Sequence, residues 1–243
     1  MYYQFPTMEV FVLTLYHAPD NASLIVRMLL EELDLPHKTI LVDRSKNDQT
    51  SAKYRKLSPD GLIPVCVIDG HPVIETAAIM LSLADQHDRF TVPTTNPRRA
   101  EFLKWLFYLS NSLHSDLRLL FYPEKYVGDD RAALESLNQR TRQRLDKRFR
   151  LFDKQYAASS DTYLFGPQPS IIDFYLGACM RWPQLYPVDS DSPFNPAEYP
   201  SIEKMLGVLQ ARDAVIAACK HDGISGSFLT RAEHARPSQG SVL

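Results

Sequence analysis

Residues 61–80, GLIPVCVIDGHPVIETAAIM, place a proline, a carboxylate and a hydroxyl at the joints between two short apolar runs and a helical pattern. Pro64 stands at the mouth of the first run, 65–68. A proline at the start of a strand removes a backbone donor and belongs at an edge or a bend. One form of that bend is a cis Ile63-Pro64 peptide, which X–Pro bonds tolerate at about 0.5–1 kcal/mol. It would turn the N–H and C=O of Ile63 outward, where an extended peptide can pair with them as an added strand. Glu75 and Thr76 fall where the second run, 73–74, gives way to a helix. Free N–H groups and the helix dipole at that start favour an anion. The Thr76 hydroxyl adds a bond to a carboxylate, and Glu75 takes an ammonium. Together they read as a receptor for a small peptide with an α-amino and an α-carboxyl group at one end. The plain alternative is a strand-leading proline followed by a helix cap.

The text around this stretch alternates between strand and helix. Residues 10–16 are β-rich, 17–22 form a turn, and SLIVRMLLEEL (23–33) has helical spacing. Residues 37–42 alternate as a half-buried strand. A short helix is expected around 51–57, a hairpin through Asp69-Gly70, and a helix over 76–87. The order βαβαββα implies a mixed sheet with helices packed on it. Residues 89–99, rich in Pro and Thr, read as a linker. Long helical patterns follow at 100–121, 129–157, 170–182 and 201–220, and 223–243 reads as a tail. The division is a small α/β domain over 1–88 and an all-helical domain over 100–222. Ser170 and Asp173 stand three apart at the start of a nearly all-apolar helix, as a capping box does.

Composition narrows the function classes. The chain has 243 residues, and 44% are hydrophobic, enough to bury a sizeable core. The net charge of -2 does not favour a nucleic-acid partner, which calls for a basic face. The basic run Arg140, Arg142, Arg144, Lys147, Arg148 and Arg150 is interleaved with Leu145 and Phe149, the pattern of a solvated helix face. No apolar run approaches the roughly 20 residues of a membrane span. With no secretory leader pattern and three scattered cysteines, Cys66, Cys179 and Cys219, a cytoplasmic location is expected. The seven histidines show no HxxxH or HExxH spacing, so no metal is expected.

GLIPVCVIDGHPVIETAAIM resembles the glutathione-binding half of the thioredoxin-like domain of glutathione S-transferases, with their G-x-V/I-P and E-S/T-x-A-I elements. LYHAPDNASLIVRMLLEELDLPHK is similar to the family's first strand–turn–helix. KWLFYLSNSLHSDLRLLFYPEKY resembles the start of the helical domain in the bacterial beta class, with its Leu113-His114 pair. YLFGPQPSIIDFYLGACMRW resembles the family's buried-helix element. The resemblance implies an α/β thioredoxin-like domain followed by an all-α helical bundle. It also implies a homodimer, with reduced glutathione as co-substrate and a small electrophile as its partner. By motif, the backbone of Ile63, beside Leu62, pairs with glutathione's cysteinyl part. Pro64 is the cis-proline, and Glu75 and Thr76 hold the γ-glutamyl end.

The reactive centre departs from the beta-class pattern. Those members carry cysteine in P-G-A-C-S-L, where this chain has P-D-N-A-S-L, so Ala22 takes the cysteine position. Thiol–disulfide chemistry through a protein cysteine is therefore not expected. A free thiol titrates near 8.5, and the thiolate is the nucleophile, so a donor must stabilise it. Ser23, at the helix start, is the first candidate and Asn21 the second; their alternatives are an N-cap and a turn residue. His114 and Lys46 are further candidates for contact with glutathione. The family's lysine after His114 is replaced by Ser115. Trp105, Tyr108, Ser112 and Tyr122 are candidates for an apolar co-substrate pocket, although aromatics at helical spacing are usually core. The expected activity is glutathione transfer. The alternatives are a glutathione-dependent peroxidase, reductase or lyase on the same fold, or a non-catalytic binding protein.

Overall fold

The computed structural model describes residues 13–188 and 193–242. The first strand, β1 (Leu13–His17), pairs in parallel with β2 (His37–Leu41), and α1 (Ser23–Leu33) forms the crossover that a parallel pair needs. Residues 10–12, expected in the first strand, lie outside the described residues. β3 (Val65–Ile68) runs antiparallel to β1, and β4 (His71–Val73) antiparallel to β3, giving the order β2-β1-β3-β4. Asp69 and Gly70 both take positive φ, as a tight hairpin turn demands. Helices α2 (Ala52–Arg55) and α3 (Thr76–Gln86) complete a thioredoxin-like βαβαββα unit.

The apolar text of α1 is buried on almost every side. The helix packs on the sheet and α3 and also against the helical part of the chain. It stops at Asp34, whose left-handed backbone returns its N–H to the carbonyls of Glu31 and Leu30. The helical part begins with a continuous rod. Its backbone is α over Arg99–Tyr108 (α4), π over Leu109–His114, and α again over Ser115–Phe121 (α5). Helices α6 (Glu124–Val127) and α7 (Arg131–Ala158) follow, and α7 buries Thr141, Leu145, Phe149, Phe152 and Tyr156 along one stripe. The almost wholly apolar α8 (Ile171–Arg181) lies at the centre with every residue buried. The expected capping box starts it, with the Ser170 N–H 2.7 Å from the Asp173 carboxylate.

The expected helix over 201–220 is two helices, α9 (Pro200–Leu209) and α10 (Asp213–His221). No glycine or proline marks the break. Tertiary contacts hold it: Arg212 forms an ion pair with Glu32 of α1, and Gln210 accepts from Leu229 N–H at 3.1 Å. The segment after Gly223 is packed as well. Ile224, Phe228, Leu229 and Ala235 are buried, and Arg181 donates to the carbonyls of Phe228 and Glu233, each at 2.8 Å. None of the helices among the described residues is long and apolar enough to cross a membrane.

Candidate functional site

A cleft of about 540 Å³ lies between the sheet unit and the helical part. One wall is the loop Gly61–Pro64 together with the start of α3. The Ile63-Pro64 bond is cis. Two side chains fix the loop before it: Tyr54 donates its hydroxyl to the Leu62 carbonyl at 2.8 Å, and Ser58 Oγ accepts from Leu62 N–H at 3.0 Å. Gly61 has φ +67, and a Cβ there would stand 2.5 Å from the Gln49 carbonyl oxygen. Only glycine fits that turn. Glu75, with φ 69, is the N-cap of α3 and stays exposed, while Thr76 is buried as the first helical residue. Leu62, Ile63, Pro64, Glu75 and Thr76 thus face one space, as their spacing in the sequence implied.

The floor is the turn between β1 and α1. Asp20, Asn21 and Ala22 line the cleft. The Oδ1 of Asn21 is buried with no hydrogen-bond partner among the described residues. Ser23 does not reach the cleft. It is 1% exposed, and its hydroxyl donates to the Ala18 carbonyl at 3.0 Å and accepts from Ala18 N–H at 3.2 Å. This hydroxyl closes the turn from within, which removes it as a donor to a ligand. It is not the N-cap either, since Ala22 holds that position. Behind the turn lies a buried ionic cluster. Arg181 grips the Asp20 carboxylate through Nε at 2.9 Å and Nη2 at 2.8 Å, Trp182 Nε1 adds a third bond at 3.1 Å, and Asp20 N–H donates to Asp222 at 3.1 Å. The floor of the cleft is thereby tied to α8 and to the end of α10.

The helical wall is one stripe. Ser110, His114, Arg118 and Tyr122 recur at every fourth residue, and Phe121 and Lys125 flank the stripe's end. The Nδ1 of His114 lies 2.9 Å from the Tyr175 hydroxyl, and its ring stacks at 5.6 Å on Trp182. Burial, aided by the charge of Arg118, pulls the His114 pKa down to about 4, so the ring is neutral near pH 7. Trp105, Tyr108 and Ser112 do not line the cleft. Trp105 and Tyr108 turn toward Phe152 of α7, at 5.1 and 5.8 Å, and belong to the bundle core. Of the proposed co-substrate residues, only Tyr122 lies in the cleft.

Lys46 is likewise outside. Its Nζ is 2.9 Å from the Asp43 carboxylate and its side chain is 74% exposed. The basic group that the same loop sends to the cleft is Arg44, which donates to Tyr122 Oη and the Val242 carbonyl, each at 3.1 Å. Arg44, Arg118, Lys125 and Tyr186 are lining residues that the sequence reading missed. The four-residue stripe from Ser110 to Tyr122 was the available signal for Arg118. The folding back of the loop after β2 left none for Arg44.

The three cysteines are buried and free, and burial raises each thiol, that of Cys66 to about 12. Among the described residues, no cluster of three or more His, Cys, Asp or Glu could hold a metal ion.

The family model "Glutathione S-transferase, N-terminal domain" matches residues 22–86, the stretch that builds the wall formed by the 61–64 loop and the start of α3. Over most of its length the chain is similar to glutathione S-transferases. It is 28% identical over 217 residues to the Hypomyces subiculosus glutathione S-transferase hmp2, covering 85% of this chain and 97% of that one. To the Xanthomonas campestris pv. campestris glutathione S-transferase GST-4.5 it is 27% identical over 182 residues, 72% of this chain and 84% of the relative. The fold superposes on a glutathione transferase homologue from Sulfitobacter, solved with bound glutathione, with a TM-score of 0.73. That match has 23% identity and covers 85% of this chain and 96% of the other.

Proposed function

We propose that this protein is a glutathione transferase that activates the thiol of reduced glutathione for attack on a small hydrophobic electrophile. The observation that carries the reading is the convergence on one cleft of three elements: the Ile63 backbone beside a cis-proline, the α3 N-terminus with Glu75 and Thr76, and the α1 N-terminus with Asn21. In this reading the extended cysteinyl segment pairs with Ile63. Thr76 and the free N–H groups of α3 hold the γ-glutamyl carboxylate, and Glu75 holds its ammonium. The sulfur then rests over the turn that carries Asn21.

Asn21, not Ser23, is the thiolate donor, because the Ser23 hydroxyl is consumed by Ala18. The amide N–H of Asn21, with the positive end of α1, favours the thiolate over the thiol. Attack forms a carbon–sulfur bond, and the leaving group departs with its electron pair. The protein contributes charge stabilisation and positioning. His114, neutral and fixed by Tyr175, shapes the wall rather than carrying a proton. The test is an ultraviolet titration of bound glutathione. A thiol pKa clearly below the free value is expected, and Asn21→Ala should return it toward the free value with turnover lowered about 10²-fold. Saturable binding with an unshifted thiol would replace conjugation by a purely binding role.

A further inference from the structure

The helical lip of the cleft carries charge opposite to that of Glu75. Arg118 of α5, Lys125 of α6 and Arg44 after β2 all line it. None pairs with a carboxylate among the described residues. Arg118 reaches only the Tyr126 hydroxyl, at 3.5 Å, the outer limit of a hydrogen bond. Lys125 stands 4.3 Å from the ring centre of Tyr122, and Arg44 has the Tyr122 hydroxyl and the Val242 carbonyl. Other arginines of the helical part do have such partners: Arg144 and Arg148 share Asp116, Arg150 has Asp146, and Arg212 has Glu32. The lip is also where the aromatic surface lies, with Phe121, Tyr122 and Tyr186 lining the same end.

Cations without carboxylate partners beside an apolar, partly enclosed surface attract an anion attached to an apolar body. Their fields are less screened there than on an open surface. We propose that the electrophile site selects substrates bearing a carboxylate on an aromatic body, with Arg118 and Lys125 as the specificity-determining residues. The proposal rests on the transferase reading and names its substrate class. In the reaction, the glutathione thiolate attacks the ring carbon that bears a halogen. A carbon–sulfur bond forms, the carbon–halogen bond breaks, and halide leaves with the electron pair. The ring carboxylate takes no part in the bond changes and stays at the cationic lip. Glutathione's own glycine carboxylate is the rival claimant for these cations, and the test separates the two.

The probes are chlorodinitrobenzoate and its methyl ester, which differ in charge at one end. Each enzymatic rate is divided by the uncatalysed rate with glutathione at the same pH. The protein should favour the acid over the ester by roughly tenfold in kcat/KM, and added salt should erode that preference. Arg118→Gln combined with Lys125→Gln should abolish the preference, with the loss appearing in KM for the benzoate and not in KM for glutathione. An ester handled as well as the acid, a preference that survives the double substitution, or a loss confined to KM for glutathione would each overturn the proposal. Turnover of neither probe by a protein that binds glutathione would remove the transferase reading and this proposal together. That result is distinct from equal use of both probes.

Discussion

Replacing Arg181 by methionine strands a carboxylate in the centre of the molecule. Arg181 and Asp20 are both 0% exposed in their side chains. The guanidinium makes two bonds to that carboxylate and two more to the carbonyls of Phe228 and Glu233. Methionine fills much of the volume, so the loss is one of charge and hydrogen bonding rather than of packing. Asp20 keeps only the Trp182 indole as a side-chain partner, and two tail carbonyls lose their donor. An uncompensated buried charge costs about 3–5 kcal/mol. At about 2–4 °C per kcal/mol for a chain of this size, the melting temperature should fall by about 6–20 °C.

Adding Asp20→Asn, which suits the positive φ of that residue, removes the stranded charge and should recover part of the loss. The coupling energy from the four-protein cycle should be about 1–3 kcal/mol. The assay is thermal or urea unfolding of all four proteins, with limited proteolysis to report release of the segment after Gly223. A melting temperature lowered by less than about 2 °C in Arg181→Met, or a coupling of zero, would refute the reasoning.

Ser23→Ala should cost about 1–3 kcal/mol of stability, since the buried N–H and C=O of Ala18 both lose their partner, while conjugation activity persists. Activity abolished in a folded Ser23→Ala protein would restore the serine as the thiolate donor. Gly61→Ala combines a left-handed backbone with a Cβ 2.5 Å from the Gln49 carbonyl oxygen; it should cost about 2–4 kcal/mol and weaken glutathione binding, as calorimetry would show. Stability should also rise with pH between about 4 and 6.5. His17 and His114 are held at about 4, chiefly by burial, so in that window the unfolded chain binds more protons than the folded one. Asp222, raised to about 6 mainly by burial, acts with the opposite sign, because the folded form keeps its proton longer. Burial also lowers His221, on the side of the other histidines, and raises Asp173, on the side of Asp222. Three histidines stand against two carboxylates, so a urea midpoint that did not fall on acidification through this window would contradict the assignment.

The wall formed by the 61–64 loop and the start of α3 was legible in the sequence because local chemistry writes it. A proline before a strand, a glycine three residues earlier and Glu-Thr at a helix start are each demanded by backbone conformation within a few residues. The elements that carry them therefore appear in the expected order and close to the expected ends. The capping box of Ser170 and Asp173 was legible for the same reason. The break between α9 and α10 was not, because its cause is an ion pair between Arg212 and Glu32, 180 positions apart. The packed tail was not legible either, since its small and polar text gives no sign that Arg181 and Gln184 take up its carbonyls.

The sequence by itself determined the bend at Pro64 and the helix start at Thr76, since those properties belong to short stretches of chain. Tertiary structure alone decided which side chains meet in the cleft beside them. It turned Ser23 inward to Ala18 and Lys46 outward to Asp43. It sent Trp105 and Tyr108 into the bundle and brought Arg44, Arg118 and Asn21 to the cleft. A hydroxyl or an ammonium within a few ångströms of two partners goes to whichever the packed backbone puts first, and that order is a property of the fold.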